Sequence, residues 1–124
     1  MKTRESAEMY LETILLLSKK NTDVRSVDIV NSLDYSKPSV SVAMKNLREG
    51  GYILMDNNGF ITLTAKGLEI AQSIYERHTL VANLFMSMGV DRETAMQDAC
   101  KIEHVISGKS FLAIKKYMEK LQKN

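Results

Sequence analysis

A cysteine, a glutamate and a histidine lie close together in the stretch DACKIEHVIS, residues 98–107. Cys100 is the only cysteine of the chain, and Glu103 and His104 follow it at positions i+3 and i+4. On an α-helix these positions share a face, so a thiolate, a carboxylate and an imidazole point to one spot. All three are ligands of transition metals. The spacing predicts a metal site, although a buried cysteine that acts only as a small hydrophobic residue gives the same pattern.

Two other predicted helices offer further ligands to this site. His78, the other of the two histidines, lies on the long helix that precedes the DACKIEHVIS segment, and the two helices should pack together. Met9 and Glu12 are spaced i, i+3 on the first helix, so a thioether and a carboxylate share a face there. Three elements therefore offer side chains that could close one metal site.

The composition is that of a globular protein and excludes several classes. The chain has 124 residues, of which 44% are apolar and 26% charged, enough for one ordinary domain or two small ones. No apolar run approaches the roughly 18 residues that span a bilayer. The N-terminus lacks the apolar core of a signal peptide. A single cysteine excludes an internal disulfide and suits a reducing compartment. We therefore expect a cytoplasmic protein with no membrane partner.

The first half of the chain has the element order of a winged helix-turn-helix. An amphipathic helix at residues 5–19 precedes a short helix capped by Ser26 and a third helix capped by Ser36, with Pro38 in its first turn. Two β-rich runs, YILM and FITL, flank the turn sequence DNNG and predict a hairpin, which would be the wing. Many small helical domains contain a hairpin, so this order is only moderately specific.

The start of the third helix is the predicted DNA-reading surface. In a helix-turn-helix the second helix of the pair enters the major groove with its N-terminal residues facing the bases. Short hydroxyls and cations can reach phosphates or base edges, although helix capping alone also explains the serines. The predicted contacts are Ser36, Lys37, Pro38, Ser39, Ser41 and Lys45 on this helix, and Asn57 and Asn58 at the tip of the wing.

The second half is predicted to be helical throughout. Thr64 caps a long helix that ends at Gly89, Asp91 opens another that we expect to run to about Ser107, and SFLAIKKYMEKLQ forms the last. The long helix carries an apolar stripe that suits either a dimer interface or an internal core. This stripe consists of Leu80, Val81, Leu84, Phe85 and Met88.

Six segments carry a family resemblance: EMYLETI, the Ser-x-Pro-Ser-Val-Ser stretch, LREGGY, LTAKG, ERH and DACKIEHVIS. They cover nearly all of residues 5–108 in order, and with these spacings the chain resembles the diphtheria toxin repressor family of metal-activated bacterial regulators. The resemblance implies a mainly α protein with a winged helix-turn-helix DNA-binding domain at 1–66. An all-helical dimerisation and metal-binding domain follows at 67–124, without the SH3-like domain of larger members. It also implies a homodimer that binds a palindromic double-stranded operator and takes no small-molecule substrate.

The resemblance implies a ligand set, residue by residue. Iron-type members use a methionine on the first helix and a cysteine, a glutamate and a histidine on the dimerisation helix. The matching residues are Met9, Cys100, Glu103 and His104. Manganese-type members have an aspartate for this methionine and a glutamate for this cysteine, but Glu12 and His78 match residues that they use as ligands. Two positions of the iron-type ancillary site hold Ala82 and Met96, which cannot serve as its ligands, so this site is absent in its usual form. Whether Glu12 and His78 bind a second metal is left undecided by the sequence.

The metal and its effect on DNA binding follow from these ligands. Thiolate and thioether argue against Mg and Ca, so we expect Fe(II) first and Mn(II) second, with Zn, Co or Ni able to bind in vitro. A metal held by both halves of the chain would clip the two domains into the arrangement that fits successive major grooves. Val42 occupies a family position that often holds a base-contacting glutamine, where an apolar contact to a thymine methyl could replace it.

Two other functional classes are weighed against the metal-dependent repressor. The main alternative is a winged-helix regulator without metal, which metal-independent DNA binding would identify. An enzyme is not expected. One cysteine and one histidine could form a nucleophile pair, but the sequence has no Gly-rich phosphate loop and no HExxH motif.

Overall fold

The computed structural model describes residues 2–21 and 23–123, with side chains for 6–21 and 23–122. This part of the chain is mainly helical with one small antiparallel hairpin, which confirms the predicted fold class. It divides into two compact units, Met1–Gln72 and Ser73–Asn124. No described helix is both long and apolar enough to cross a membrane. The elements are α1 (Lys2–Lys20), α2 (Ser26–Leu33), α3 (Lys37–Glu49), β1 (Ile53–Met55), β2 (Ile61–Leu63), α4 (Ala65–Ser87), α5 (Arg92–Ile102) and α6 (Gly108–Lys123).

The first unit is the predicted winged helix-turn-helix. Helix α1 packs against α2, α3 and β2, and α3 packs against β1. Aliphatic side chains from all of these elements form one core that excludes water, which is the main stabilising contribution in a unit of this size. Its fully buried members include Leu11, Ile14, Ile29, Val40, Met44, Ile53 and Ile61.

The caps of α2 and α3 differ in how well they were predicted. Ser36 is the N-cap of α3, as expected, because its Oγ accepts a hydrogen bond from the Ser39 backbone N–H at 3.2 Å. The prediction that Ser26 caps α2 is wrong, since Ser26 is the first residue of the helix. The cap is Arg25, whose extended backbone places its N–H 2.9 Å from the carboxylate of Asp28. An acid in the first turn therefore starts this helix one residue earlier than a serine cap would.

The hairpin turns where the sequence predicts it. Strands β1 and β2 pair antiparallel with Met55 opposite Ile61, and one carboxylate oxygen of Asp56 accepts from the backbone N–H groups of Asn58 and Phe60, both at 2.9 Å. Gly59 has φ +82°, a left-handed conformation that glycine adopts without steric cost. The turn thus presents Asn57 and Asn58 as an exposed tip.

Two contacts fasten this hairpin to the loop before α2. Val24 forms an isolated antiparallel bridge with Ile61, whose N–H donates to the Val24 carbonyl at 2.7 Å. The guanidinium of Arg25 lies 4.5 Å from the centroid of the Phe60 ring, within the range of a cation–π contact. The wing is therefore held by the body of the first unit as well as by its own pairing.

The start of α4 closes tightly on the strand region. Thr64 Oγ1 accepts from the Gly67 N–H at 3.1 Å and donates to the Gly51 carbonyl at 2.7 Å, so Thr64 is the cap that the sequence predicts. A Cβ atom at position 67 would overlap the backbone carbonyl of Tyr52. Gly67 is therefore required by a close approach of two backbones.

The second unit contains the C-terminal part of α4 together with α5 and α6. Its cluster of buried hydrophobic residues is built from Val81, Ala82, Ala95 and Ala99. Asp91 caps α5, because its carboxylate accepts from the Thr94 N–H at 3.0 Å. Of the predicted apolar stripe, Val81 belongs to the internal core, whereas the side chain of Met88 is 64% exposed.

Helix α5 ends at Ile102, and the prediction that it reaches about Ser107 is wrong. The chain tightens there, since the Val105 N–H bonds to the Ile102 carbonyl three residues back at 2.9 Å. Ser107 then opens α6 by accepting from the Ser110 N–H at 3.1 Å. The candidate ligands Glu103 and His104 consequently lie in the turn between two helices.

Candidate metal centre and nucleic-acid interface

Glu103 is the centre of a cluster of metal-binding side chains in the second unit. Its side chain is fully buried, with an exposed fraction of 0%. His78 Nδ1, from α4, lies 3.1 Å from Oε2, and His104 Nε2 lies 3.3 Å from Oε1. One carboxylate thus faces an imidazole nitrogen on each side.

Cys100 completes the cluster from the last turn of α5. Ligand atoms of His78, Cys100 and Glu103 all lie within 4.8 Å of one another. The cysteine is exposed, so it stands at the edge of the cluster. Although Glu103 follows the last residue of α5, its N–H still bonds to the Ala99 carbonyl at 3.0 Å. The i, i+3 geometry expected from the sequence therefore survives the end of the helix.

These residues fit a transition metal. A carboxylate that is entirely removed from water is costly unless charge or hydrogen bonds compensate it. Among the described residues, neither oxygen of Glu103 has a hydrogen bond of ordinary geometry, and a nitrogen of His78 and of His104 faces it instead. A cation shared by the carboxylate, imidazole and thiolate would compensate the charge, and all three ligand types bind divalent transition metals in proteins.

Arg77 holds the turn that carries two of these ligands, a role that the sequence analysis missed. Its Nη1 donates to the carbonyls of Glu103 and Ile106 at 3.5 and 3.4 Å, and its guanidinium lies 5.4 Å from the centroid of the Phe111 ring. Carbonyls at a helix end lack partners within the helix, and a cation there also interacts favourably with the helix dipole. The segment ERH brings Arg77 next to His78, but spacing alone does not indicate which carbonyls it reaches.

Met9 and Glu12, the other two predicted ligands, lie on α1 in the first unit. Glu12 is buried, with an exposed fraction of 7%. The sulfur of Met9 accepts a hydrogen bond from the Tyr35 hydroxyl at 3.2 Å. The cluster around Glu103 thus gathers four of the six predicted ligands, and the remaining two are side chains of the other unit.

The predicted DNA-contacting residues form the solvent face of α3 and the wing tip. All nine are exposed, whereas Val40, Met44 and Leu47 on the opposite face of α3 are buried. The Ser36 hydroxyl donates to Ser39 Oγ at 2.9 Å, so part of the serine chemistry caps the helix. The exposed residues are Ser36, Lys37, Pro38, Ser39, Ser41, Val42, Lys45, Asn57 and Asn58.

Known protein families match both units of the chain. The model described as iron dependent repressor, N-terminal DNA binding domain, matches residues 2–59. The model described as iron dependent repressor, metal binding and dimerisation domain, matches residues 64–124. The chain belongs to the iron-dependent repressor family. Family membership confirms the predicted resemblance to metal-dependent transcriptional regulators and supports DNA and a second copy of the chain as partners.

Individual relatives agree with this family. The chain is 34% identical over 120 residues to an uncharacterized HTH-type transcriptional regulator of Methanocaldococcus jannaschii, covering 95% of this chain and 96% of the relative. It is 34% identical over 117 residues to the transcriptional regulator MntR of Escherichia coli, covering 94% and 76%. The solved structure of the manganese regulator SloR superposes with a TM-score of 0.80 at 26% identity. That match covers 91% of this chain but only 53% of the SloR chain, so the chain spans about half of SloR's length.

Proposed function

We propose that the chain is a transcriptional repressor whose binding to operator DNA depends on a transition metal held around Glu103. Family membership supports the metal dependence, whereas the ligand set, the metal and the form of the operator belong to the proposal. The observation that carries the proposal is the fully buried Glu103 carboxylate between the nitrogens of His78 and His104, with Cys100 beside it.

The proposed ligands come from two domains, 1–66 and 67–124. His78, Cys100, Glu103 and His104 would hold the metal in the second, and we propose that Met9 and Glu12 join them from the first. A bound metal supplies a fixed positive charge that compensates the buried carboxylate. Ligands from both domains would then restrict the homodimer to the arrangement that fits successive major grooves. By linkage, DNA and metal strengthen each other's binding, typically by about 1–3 kcal/mol.

The donor set favours Fe(II), with Mn(II) second. Beside the two carboxylates, which also suit Mg and Ca, the set contains two imidazoles, a thiolate and a thioether, which are poor ligands for those ions. The iron-dependent repressor models support Fe(II), and the likeness to the manganese regulator SloR supports Mn(II). Zn, Co and Ni should also bind in vitro, because affinity for such sites rises along the first-row metals.

The DNA contacts are proposed on the exposed face of α3 and on the wing. Lys37 and Lys45 would contact phosphates, whereas Ser39, Ser41 and Val42 would approach base edges, Val42 through a thymine methyl. A homodimer presents two such helices related by a two-fold axis, so the operator should be palindromic. The repressor would act in the cytoplasm, on chromosomal DNA.

The experiment is an anaerobic selection of sheared genomic DNA from the source organism at fixed salt. The wild-type protein and the Glu103→Gln and Glu119→Gln variants are each mixed with the DNA, once with chelator and once with Fe(II) or Mn(II). Retained fragments are then sequenced. Glu119 is an exposed residue of α6 and serves as the matched control.

We expect discrete fragments only with metal, and only for the wild-type protein and Glu119→Gln. The fragments should share a palindrome, and Glu103→Gln should retain none of them. Equal retention with chelator and with metal would instead make the chain a metal-independent winged-helix regulator.

A further inference from the structure

The hydrogen bond between Tyr35 and Met9 links the first helix to the start of the recognition helix. Tyr35 lies in the turn between α2 and α3, directly before the N-cap residue Ser36. Its hydroxyl donates to the Met9 sulfur at 3.2 Å. Its ring meets the ring of the buried Tyr10 edge to face, with centroids 6.0 Å apart and planes at 76°. Two neighbouring residues of α1 therefore hold this tyrosine.

We propose that the Tyr35 hydroxyl competes with the metal for the sulfur of Met9, so that metal loading releases this hydroxyl at the start of the recognition helix. This inference rests on the proposed role of Met9 as a ligand. A thioether is a weak hydrogen-bond acceptor and a soft metal ligand, and a donor on one of its two lone pairs withdraws electron density and blocks one side of the sulfur. A donor at 3.2 Å therefore lowers the affinity of this sulfur for a cation.

The position of Tyr35 gives the competition a consequence for DNA binding. The side chain is 40% exposed, and the following residues are the predicted contacts Ser36 to Ser39. A tyrosine hydroxyl that has lost its sulfur partner can donate a hydrogen bond to a phosphate oxygen. Metal binding on α1 would thus alter the donors available beside the N-terminus of α3, within one unit of the protein.

The test is a double-mutant cycle on metal binding without DNA. Dissociation constants for Co(II), a spectroscopically visible probe, are measured for the wild type, Tyr35→Phe, Met9→Leu and the double variant. Phenylalanine keeps the ring contact with Tyr10 and removes only the hydroxyl. Tyr117→Phe is the control, because it makes the same chemical change at a tyrosine that is 53% exposed on α6.

The proposal expects Tyr35→Phe to tighten Co(II) binding about two- to fivefold, which corresponds to one weak neutral hydrogen bond. The same substitution in the Met9→Leu background should have no effect, because the shared acceptor is gone. Tyr117→Phe should leave the dissociation constant unchanged. Co(II) should also change the near-ultraviolet tyrosine absorption of the wild type more than that of Tyr35→Phe.

Other outcomes separate this inference from the proposed function. If Met9→Leu weakens Co(II) binding but Tyr35→Phe does not alter it, Met9 is a ligand and the competition is overturned. Equal tightening in both backgrounds also overturns it, since the effect then does not pass through the sulfur. If Met9→Leu leaves Co(II) binding unchanged, Met9 is not a ligand; the competition then fails, and so does that part of the proposed ligand set.

Discussion

The two units of the chain bury very different side chains. Among the largest fully buried side chains that the structure describes, those of the first unit are aliphatic residues and one methionine, including Leu11, Ile29 and Met44. Those of the second unit are Val81 and the carboxylate of Glu103. The fully buried side chains of the first unit thus carry no charge, although Glu12 is buried to 7% exposure. The second unit has a small core of one valine and three alanines, and its fully buried carboxylate must be compensated.

This difference predicts that most of the metal-dependent stability lies in the second unit. Burial of apolar area stabilises the first unit in any ionic condition. The folded second unit, in contrast, gains free energy from any cation that binds the native cluster and not the unfolded chain. The effect of metal on stability should thus be large around Glu103 and smaller in the first unit, which contributes only the proposed ligands Met9 and Glu12.

The largest expected effect is the loss of metal-dependent stability in Glu103→Gln. Metal at about 100 times its dissociation constant should stabilise the wild type by about 2.7 kcal/mol. Removal of the central carboxylate should weaken metal binding about 100-fold or more, beyond the loss of an outer partner. Urea unfolding with metal and with chelator checks this. Glu119→Gln should retain the full metal response, and a retained response in Glu103→Gln would disprove the assigned centre.

Gly67→Ala should destabilise the first unit, with or without metal. The added Cβ overlaps the Tyr52 carbonyl, and displacement of backbone should cost about 1–3 kcal/mol. The measurement is again urea unfolding, with chelator present. Gly108→Ala is the matched control, because nothing lies within 4 Å of its Cβ position, and we expect it to be neutral or slightly stabilising. Similar stability of the two variants would show that the close approach is not required.

Arg77→Met should weaken metal binding about tenfold while leaving the helical content unchanged. The substitution keeps the apolar stem beside Phe111 but removes the donors to the carbonyls of Glu103 and Ile106. Loss of a residue that orients a metal ligand typically lowers metal affinity about 10–100-fold. Because the hydrogen bonds of Arg77 are long, we expect an effect at the lower end of this range. Titration with Co(II) and circular dichroism measure the two properties. Arg92→Met, an exposed change at the start of α5, should bind Co(II) normally.

The smallest expected effect is the change in protein stability at acid pH that depends on the helix cap Asp91. Hydrogen bonds from Thr94 hold the pKa of Asp91 below its ordinary value. The contribution of this carboxylate to the free energy of unfolding is therefore complete above its pKa in the unfolded chain, and it is lost as pH falls through its pKa in the folded protein. Asn caps a helix comparably but does not titrate there. Asp91→Asn should thus lose less stability than the wild type between about pH 5 and pH 2 in urea unfolding with chelator; parallel curves would contradict this.

Most patterns within one element were read correctly from the sequence, with the cap of α2 as the exception. The hairpin turn around Gly59, the cap Ser36 and the cap Asp91 follow from local hydrogen bonds that a few neighbouring residues determine. The spacing of Cys100 and Glu103 is local too, and it survives the helix end. Such features need no knowledge of distant contacts.

Most contacts between elements were not available from the sequence, although the approach of His78 to the Cys100–Glu103 pair was expected. That Glu103 is fully buried between two histidines depends on how α4 packs against the turn after α5. Arg77 reaches carbonyls 26 and 29 residues further along the chain, and Tyr35 bonds to a sulfur 26 residues before it. The end of α5 was misplaced for the same reason. The helical spacing of the sequence continues beyond Ile102, but the packed chain forms a turn there.

The bridge between Val24 and Ile61 has a consequence for how operators are distinguished. Together with the Arg25–Phe60 contact it attaches the wing to the segment directly before α2, the first helix of the helix-turn-helix pair. If the wing and α3 contact neighbouring grooves as proposed, this attachment restricts the distance between them, and a single inserted base pair would displace one contact by about 3.4 Å. The protein would reject such a site without touching the inserted base. Groove spacing, and not only base identity, would thereby limit the set of genes that it controls.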